Sequence, residues 1–372
     1  MRDVIPMSSP DITEEDVQAV AEVVRSGRLA LGPKIEEFEK LFAAYVGTEY
    51  AIAVSSGTAG LHLAVRALGL GLGDEVLVPS FTFVASVNAI LYERAKPVFV
   101  DILPDSYCLD PEDVKRKVTP RTKAVMVVDV FGHPAEWDEI LAIAEHHGLR
   151  VIDDACEALG AEYKGKKVGQ FGDVAVFAFY PNKQMTTGEG GMVVTRRGDI
   201  AELCRSLRNQ GRRVMGGWLE HEELGFNYRM TEMSAALGIS QLRRIDTLLA
   251  NRDRVARLYT AYLRGLYGVQ TPVVRPSVRM SWFVYVVALP EKVSRRRVME
   301  YMEEQGIPTR AYFPPVHLQG YIRRLLKTHE GMLPVTESIA QRTLALPFYG
   351  AMTEEDVRMV VEVFRTALDK VA

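Results

Sequence analysis

Cysteine is scarce in this chain: Cys108, Cys156 and Cys204 make an odd number, with no Cys-x-x-Cys spacing. That argues against a disulfide framework and a structural zinc site, and it fits a reducing compartment. Excess charge of one sign is missing too. Forty-five basic against 48 acidic residues leave a formal net charge of −3, so there is no electrostatic footprint for nucleic acid or an anionic membrane. The first residues, "MRDVIPMSSPDITEEDV", lack an apolar signal core. The most apolar stretch, 51–72, is broken by His62, Arg66 and several glycines, which makes it a poor membrane span. A soluble, cytoplasmic, globular protein is the expectation. At 372 residues two domains are expected rather than one core.

What is present is alternation. Short β-branched runs at 51–55, 75–79, 97–101, 124–128, 150–154, 174–180 and 192–195 are separated by helical patterns such as "EWDEILAIAEHHG", closed by Gly148. This predicts an α/β domain with a large, mostly parallel sheet covered on both faces. After about residue 231 the pattern changes. "TEMSAALGISQLRRIDTLLANRDRVARLYTAYLRGL" reads as long helical sequence joining two domains. "SWFVYVVALP" reads as a strand and "SRRRVMEYMEEQG" as a helix stopped by Gly306. A large domain over 1–245 and a small α+β domain over 246–372 are expected. "ITEEDVQAVAEVV" and "MTEEDVRMVVEVF" look alike, but helix-start rules alone produce both, with Thr13 and Thr353 as caps.

In such sheets ligands gather beyond the carboxyl ends of the strands, and three features fall there. "SSGT" places Gly57 and Thr58 between a strand and a helix, where free N–H groups suit a phosphate; a plain turn with a Ser or Thr cap fits as well. "RVIDD" ends a strand on two carboxylates, and burying an aspartate is costly without a cation or donors; a pair of caps at a sheet edge is the alternative. Lys183, in "FYPNKQMTTGEGGM", stands at the mouth of an apolar strand, where desolvation makes a neutral amine accessible for a Schiff base. Taken alone it reads as a surface lysine. Together the three are the contacts pyridoxal phosphate needs: aldehyde on lysine, pyridinium on a carboxylate, phosphate on a helix start. Cys156 reads as a packed residue, since no Cys–His arrangement accompanies it.

"SSGTAGLHLA", "PSFTFVAS", "VIDDACEALGA", "FYPNKQMTTGEGG", "LGFNYRMTEMSAALGISQL" and "RAYFPPVHLQ" together resemble the DegT/DnrJ/EryC1/StrS family, in order from about residue 5 to 350. These are sugar aminotransferases of the fold-type I, pyridoxal-phosphate-dependent class, and the likeness leans toward perosamine synthases. The resemblance implies that Lys183 carries the Schiff base and moves the proton, and that Asp154 holds the pyridinium proton. It implies that Gly57, Thr58 and Ala59 bind the phosphate and that Phe83 stacks on the ring. Asn227 would reach the cofactor of a neighbouring subunit, giving a homodimer with shared sites. Arg229 and His317 are expected at the substrate pocket, although Arg229 fits an interface salt bridge equally. The substrates implied are an amino-acid donor, usually glutamate, and a keto-sugar nucleotide. No metal is implied. Two departures stand out. Glu157 replaces the usual Gln or His near the ring hydroxyl, and Ala178 replaces a phosphate-binding serine, removing one bond of ~1.5–3 kcal/mol. A sugar dehydratase on this scaffold would carry histidine in place of Lys183, and a non-catalytic regulator would not require the intact set.

Overall fold

A computed structural model describes residues 5–212 and 220–371. Helices α1 (Glu14–Ser26) and α2 (Pro33–Val46) come first, and strands β1 (Tyr50–Val54), β2 (Glu75–Pro79), β3 (Lys96–Val100), β4 (Thr122–Val128) and β5 (Arg150–Asp154) appear where the apolar runs place them. A short hairpin, β6 (Glu162–Tyr163) and β7 (Lys166–Lys167), precedes β8 (Val174–Ala178) and β9 (Gly191–Thr195). The main sheet has seven strands in the order β1-β9-β8-β5-β4-β2-β3. Only β9 runs against its neighbours within it; every other pairing is parallel.

Period-2 side-chain alternation explains why these runs are apolar throughout. Val54, Val76, Val78, Met126, Ile152, Val176 and Val193 point to one face, packed on α3 (Gly57–Ala67) and α4 (Val84–Tyr92). Their neighbours Ala53, Leu77, Val125, Val151, Phe177 and Val194 point to the other. Both faces are buried, so both sets must be hydrophobic. Burying such a side chain contributes about 1.5–3 kcal/mol, and these strands supply most of the central core.

Helix starts follow their signals. Thr13 N donates to Asp16 Oδ2 (2.9 Å) and Thr353 N to Asp356 Oδ2 (2.7 Å), so both look-alike segments begin with the same capping arrangement. Gly148, at φ 64°, closes the helix Trp137–His147. The long helical stretch after residue 231 is two helices, Glu232–Arg243 and Ile245–Leu263, with Arg244 at φ −114° between them. Arg244 is held there by Asp11 and Asp16, a tertiary pairing that periodicity does not reveal. Beyond it, β11 (Tyr285–Ala288) pairs antiparallel with the strand Thr343–Leu346 after the short β10 (Val278–Arg279). These pack with Tyr259, Val298, Met302, Phe348 and Phe364 in a separate apolar cluster. No helix among the described residues is long and apolar enough to cross a membrane.

Candidate active site

The carboxyl ends of β1, β2, β4, β5 and β8 open on a cavity of about 510 Å³. Its wall carries Gly57 and Thr58 after β1, Thr82 and Phe83 after β2, Asp154 at the end of β5, and Ala178, Tyr180 and Lys183 around and after the end of β8. The three features singled out in the sequence therefore converge.

At the β1 end, Ser56 Oγ accepts from Ala59 N (3.1 Å) and caps α3. The serine cap and the anion-competent helix start coexist, because the first-turn N–H groups of Gly57 and Thr58 have no helical acceptor. Glycine is required for the close packing here. A Cβ on Gly57 would lie 2.7 Å from Ala178 Cβ, and one on Gly191 would lie 2.7 Å from the Ser56 carbonyl carbon. Ala59 faces away into the core and does not line the cavity.

Asp154, 5 % exposed, accepts from Ser86 Oγ (2.7 Å) and Cys156 N (3.3 Å). Ser86 is in turn bonded to Thr82 (2.8 Å), so α4 fixes the carboxylate's orientation. These donors are neutral. A buried carboxylate facing a cavity with neutral partners suits an incoming cation.

Pro181 ends the β8 run, and Lys183 N bonds back to Tyr180 O (2.9 Å), which turns the lysine side chain into the cavity. Its Nζ lies 3.5 Å from Glu157 Oε1 and 3.8 Å from the Phe283 ring centroid, with the side chain 13 % exposed. Glu157 Oε2 accepts from Phe131 N (2.9 Å). Burial pushes the Glu157 carboxyl above its ordinary range, and the Lys183 charge opposes that rise. Cys156 also lines the cavity, and burial drives its thiol well above the ordinary value, so it is not a thiolate nucleophile.

Phe83, at the start of α4, projects from the wall and is 61 % exposed. Asn227 lies on the exposed surface, bridged through the backbone to Asn209, and Arg229 Nη1 donates to Asn209 Oδ1 (3.0 Å). Neither Asn227 nor Arg229 lines this chain's cavity. The expectation for His317 is corrected. It is fully buried, with Nδ1 2.7 Å from Ser80 Oγ and Nε2 3.0 Å from Glu337 Oε1. Both ring nitrogens are used inside the protein, which leaves none for a substrate. The "YFPP" part of that motif supplies the wall instead, through Tyr312 and Phe313. Phe313 is held against Phe131 at 5.4 Å between ring centroids. Phe283, Tyr312, Phe313, Asn182 and Glu189 were not anticipated as wall residues; the two adjacent aromatics in "AYFPP" were the available signal.

A lysine amine, a carboxylate without a cation and a helix N-terminus around one cavity at the carboxyl edge of a mostly parallel sheet define a fold-type I pyridoxal-phosphate enzyme. The family model for the DegT/DnrJ/EryC1/StrS aminotransferase family matches residues 10–365, and the chain belongs to that family. It is 42 % identical over 349 residues to GDP-perosamine synthase of Caulobacter vibrioides, covering 92 % of this chain and 91 % of that one. It is 38 % identical over 364 residues to dTDP-3-amino-3,4,6-trideoxy-alpha-D-glucose transaminase of Streptomyces venezuelae, covering 97 % and 94 %. The solved structure of S. venezuelae DesV in complex with a ketimine intermediate superposes with a TM-score of 0.91 at 38 % identity, covering 96 % of this chain and 95 % of that one. The protein is a pyridoxal-phosphate-dependent sugar aminotransferase.

Proposed function

We propose that this chain moves an amino group from an amino acid, L-glutamate, to a keto-sugar linked to a nucleotide, giving a 4-amino sugar of the perosamine type. The observation that carries the reading is the placement of Lys183 Nζ inside the cavity, 3.5 Å from Glu157 and against Phe283. The names of the relatives, one a GDP-sugar and one a dTDP-sugar enzyme, support the nucleotide-linked acceptor.

The residues divide the work by chemistry. Lys183 would tether the cofactor through its amine and, once released, would take and return the proton at the substrate carbon. Asp154, oriented by Ser86, would hold the proton on the ring nitrogen. When bound, the pyridinium ring acts as the sink for the electrons released at the substrate carbon. Gly57 and Thr58 offer N–H groups, and Thr58 a hydroxyl, to the phosphate, with Ala59 continuing the same turn. Phe83, exposed on the cavity wall, would stack on one ring face. Glu157, whose carboxyl burial raises against the Lys183 charge, would face the ring hydroxyl and, where it carries a proton, donate to it. Phe283, Tyr312 and Phe313 keep water from the amine. Asn227, exposed on this chain, reaches the phosphate in a second copy, making a homodimer with shared sites, with Arg229 beside it at the substrate entrance.

The test is a pair of half-reactions. The enzyme is converted to its aminated form with L-glutamate, then mixed with keto-sugars linked to GDP or dTDP, and the return of the visible absorption is followed. Recovery with a 4-keto-sugar nucleotide is expected. Recovery with none of them, or with an unlinked keto-sugar only, overturns the acceptor. In Lys183→Ala the visible band is absent and turnover falls at least ~10²–10⁴-fold, with the far-ultraviolet circular dichroism unchanged. Full transamination in that variant refutes the mechanism.

A further inference from the structure

A second cation lies behind the catalytic lysine, and the scheme above does not use it. Arg252, on the helix Ile245–Leu263, is 4 % exposed. Its Nη2 donates to Lys183 O (2.8 Å) and Asn182 O (3.2 Å). Its Nη1 donates to Phe283 O (3.1 Å) and Trp282 O (3.4 Å). The guanidinium also lies 5.7 Å from the Phe348 ring centroid. All of these hydrogen-bond acceptors are backbone carbonyls. Asp11, the carboxylate whose field reaches Arg252, is itself paired with Arg244 at 2.7 Å. Burial lowers the Arg252 pKa to about 10, so the group stays charged at neutral pH.

A buried cation without a carboxylate carries a large desolvation penalty, so its geometry is informative. One arm of the fork holds the backbone of the residue that bears the amine. The other holds the backbone of the residue whose ring lies against that amine. The two segments are 100 positions apart in sequence, and neither bonds to the other at these carbonyls, since two acceptors cannot pair directly. Gln184 adds a second tie. Its Nε2 donates to Ser281 O (3.0 Å), Ser281 Oγ (3.1 Å) and Glu157 O (2.6 Å). The lysine is thus bracketed by two side chains that fasten it to the segment 281–283 and to the backbone of Glu157.

We infer that Arg252 is a positioning residue for the amine: by bridging the carbonyls of Lys183 and Phe283 it sets where Nζ sits between the Phe283 ring and Glu157. This rests on the transaminase reading for its consequence in turnover, but not for the tie itself. A planar fork with donors on both edges can span two segments, which an ammonium on a flexible stem does less well. Arg252→Lys is therefore a graded perturbation, and Arg252→Met removes the charge at similar volume.

The experiment compares both variants with the wild type in two ways. In the cofactor-free proteins, lysine acetylation by acetic anhydride is followed by mass spectrometry, with Lys117, another partly buried lysine (28 % exposed), as the internal reference. In the loaded enzymes, the maximal single-turnover rate of the glutamate half-reaction (taken as kcat) and the half-saturating glutamate concentration (taken as KM) are measured from the loss of the visible band. The expected result is faster labelling of Lys183 relative to Lys117. It is accompanied by a kcat about 10–10²-fold lower, the scale of a misplaced catalytic group, with KM for glutamate unchanged. Added guanidinium ion partly restores kcat in Arg252→Met. An unchanged Lys183-to-Lys117 ratio, or activity lost only in proportion to unfolded protein, overturns the inference; so does failure of both variants to fold. If the wild type transaminates no keto-sugar nucleotide while the labelling ratio still shifts, the acceptor assignment fails and the tie stands.

Discussion

The two ends of the main sheet treat acidic residues in opposite ways. At the amino end, Glu75 accepts from Thr119 (2.6 Å), Arg121 (3.0 Å) and Lys96 (3.1 Å). Burial opposes ionisation there, but these bonds outweigh it and bring the Glu75 pKa down to about 2. Asp173, just before β8, meets Arg150 and Arg197, each at 3.2 Å. At the carboxyl end, Asp129, Asp153, Asp154 and Glu157 are buried, and Lys183 is the cation that lines the cavity among the described residues. Asp129 Oδ2 and Asp153 Oδ1 are buried with no N–H or O–H donor of the described residues on them, and burial pushes the Asp129 carboxyl to about 7 and the Asp153 carboxyl well above its ordinary value, so the pair can hold a proton. One end is neutralised by the chain's own cations. The other holds a buried carboxylate, Asp154, whose donors, the Ser86 hydroxyl and the Cys156 N–H, are neutral, and which a cationic ring can balance.

That contrast can be broken or sharpened by substitution. The largest effect is expected from Asp154→Asn. Removing one partner of a buried ion pair costs about 3–5 kcal/mol, so pyridoxal phosphate binding weakens by roughly 10²–10⁴-fold. The cofactor-free protein should melt within a few degrees of the wild type, since Asp154 has only neutral donors there. A large drop in the cofactor-free melting temperature together with unchanged cofactor affinity contradicts the picture.

Glu75→Gln should behave in the opposite manner, with cofactor affinity intact and stability lowered. Bonds to a charged group contribute about 1.5–3 kcal/mol each, reduced here because Lys96 and Arg121 are more than half exposed. A carboxyl with a depressed folded pKa stabilises above its unfolded value and loses that contribution as pH falls toward about 2. Urea unfolding should therefore separate the variant from wild type at pH 7 and bring them together as the pH drops below the ordinary carboxylate range. A gap that is constant with pH rules out the charge-based origin.

The smallest effect is a change of slope. Asp129 holds its proton in the folded state up to about 7, whereas an unfolded aspartate loses it near 3.9. Between those values the folded state binds more protons, so this group's contribution falls as pH rises to about 7 and is flat above. Asp153→Asn supplies an amide donor in place of the shared proton and should flatten the fall in melting temperature over that window. An identical slope in the variant shows that the pair is not sharing a proton.

Much of this was legible beforehand because it is local. β2 and β5 span the residues their apolar runs mark, Gly148 closes its helix, and Lys183, Asp154 and the Gly57–Thr58 turn meet at one cavity. His317 was misread because an isolated histidine in a loop carries no sign of whether its nitrogens face solvent. Its partners, Ser80 and Glu337, come from far along the chain. Phe283 was read only as part of a strand, yet β11 starts at Tyr285 and leaves Phe283 free to face Lys183. The break at Arg244 was hidden for the same reason, since the acids that hold it lie near residue 11.

By itself the sequence determined which segments become strands and helices, where they stop, and that a lysine, an aspartate and a glycine turn stand at or just after the carboxyl ends of three strands. Side-chain period, capping and glycine conformation are properties of a few consecutive residues. Only the tertiary structure decided which aromatic rings wall the amine, which histidine is consumed in the core, and that Arg252 joins the carbonyls of Lys183 and Phe283. Those outcomes depend on distances between segments many positions apart, which are fixed when the sheet order and the packing of its two faces bring the segments together.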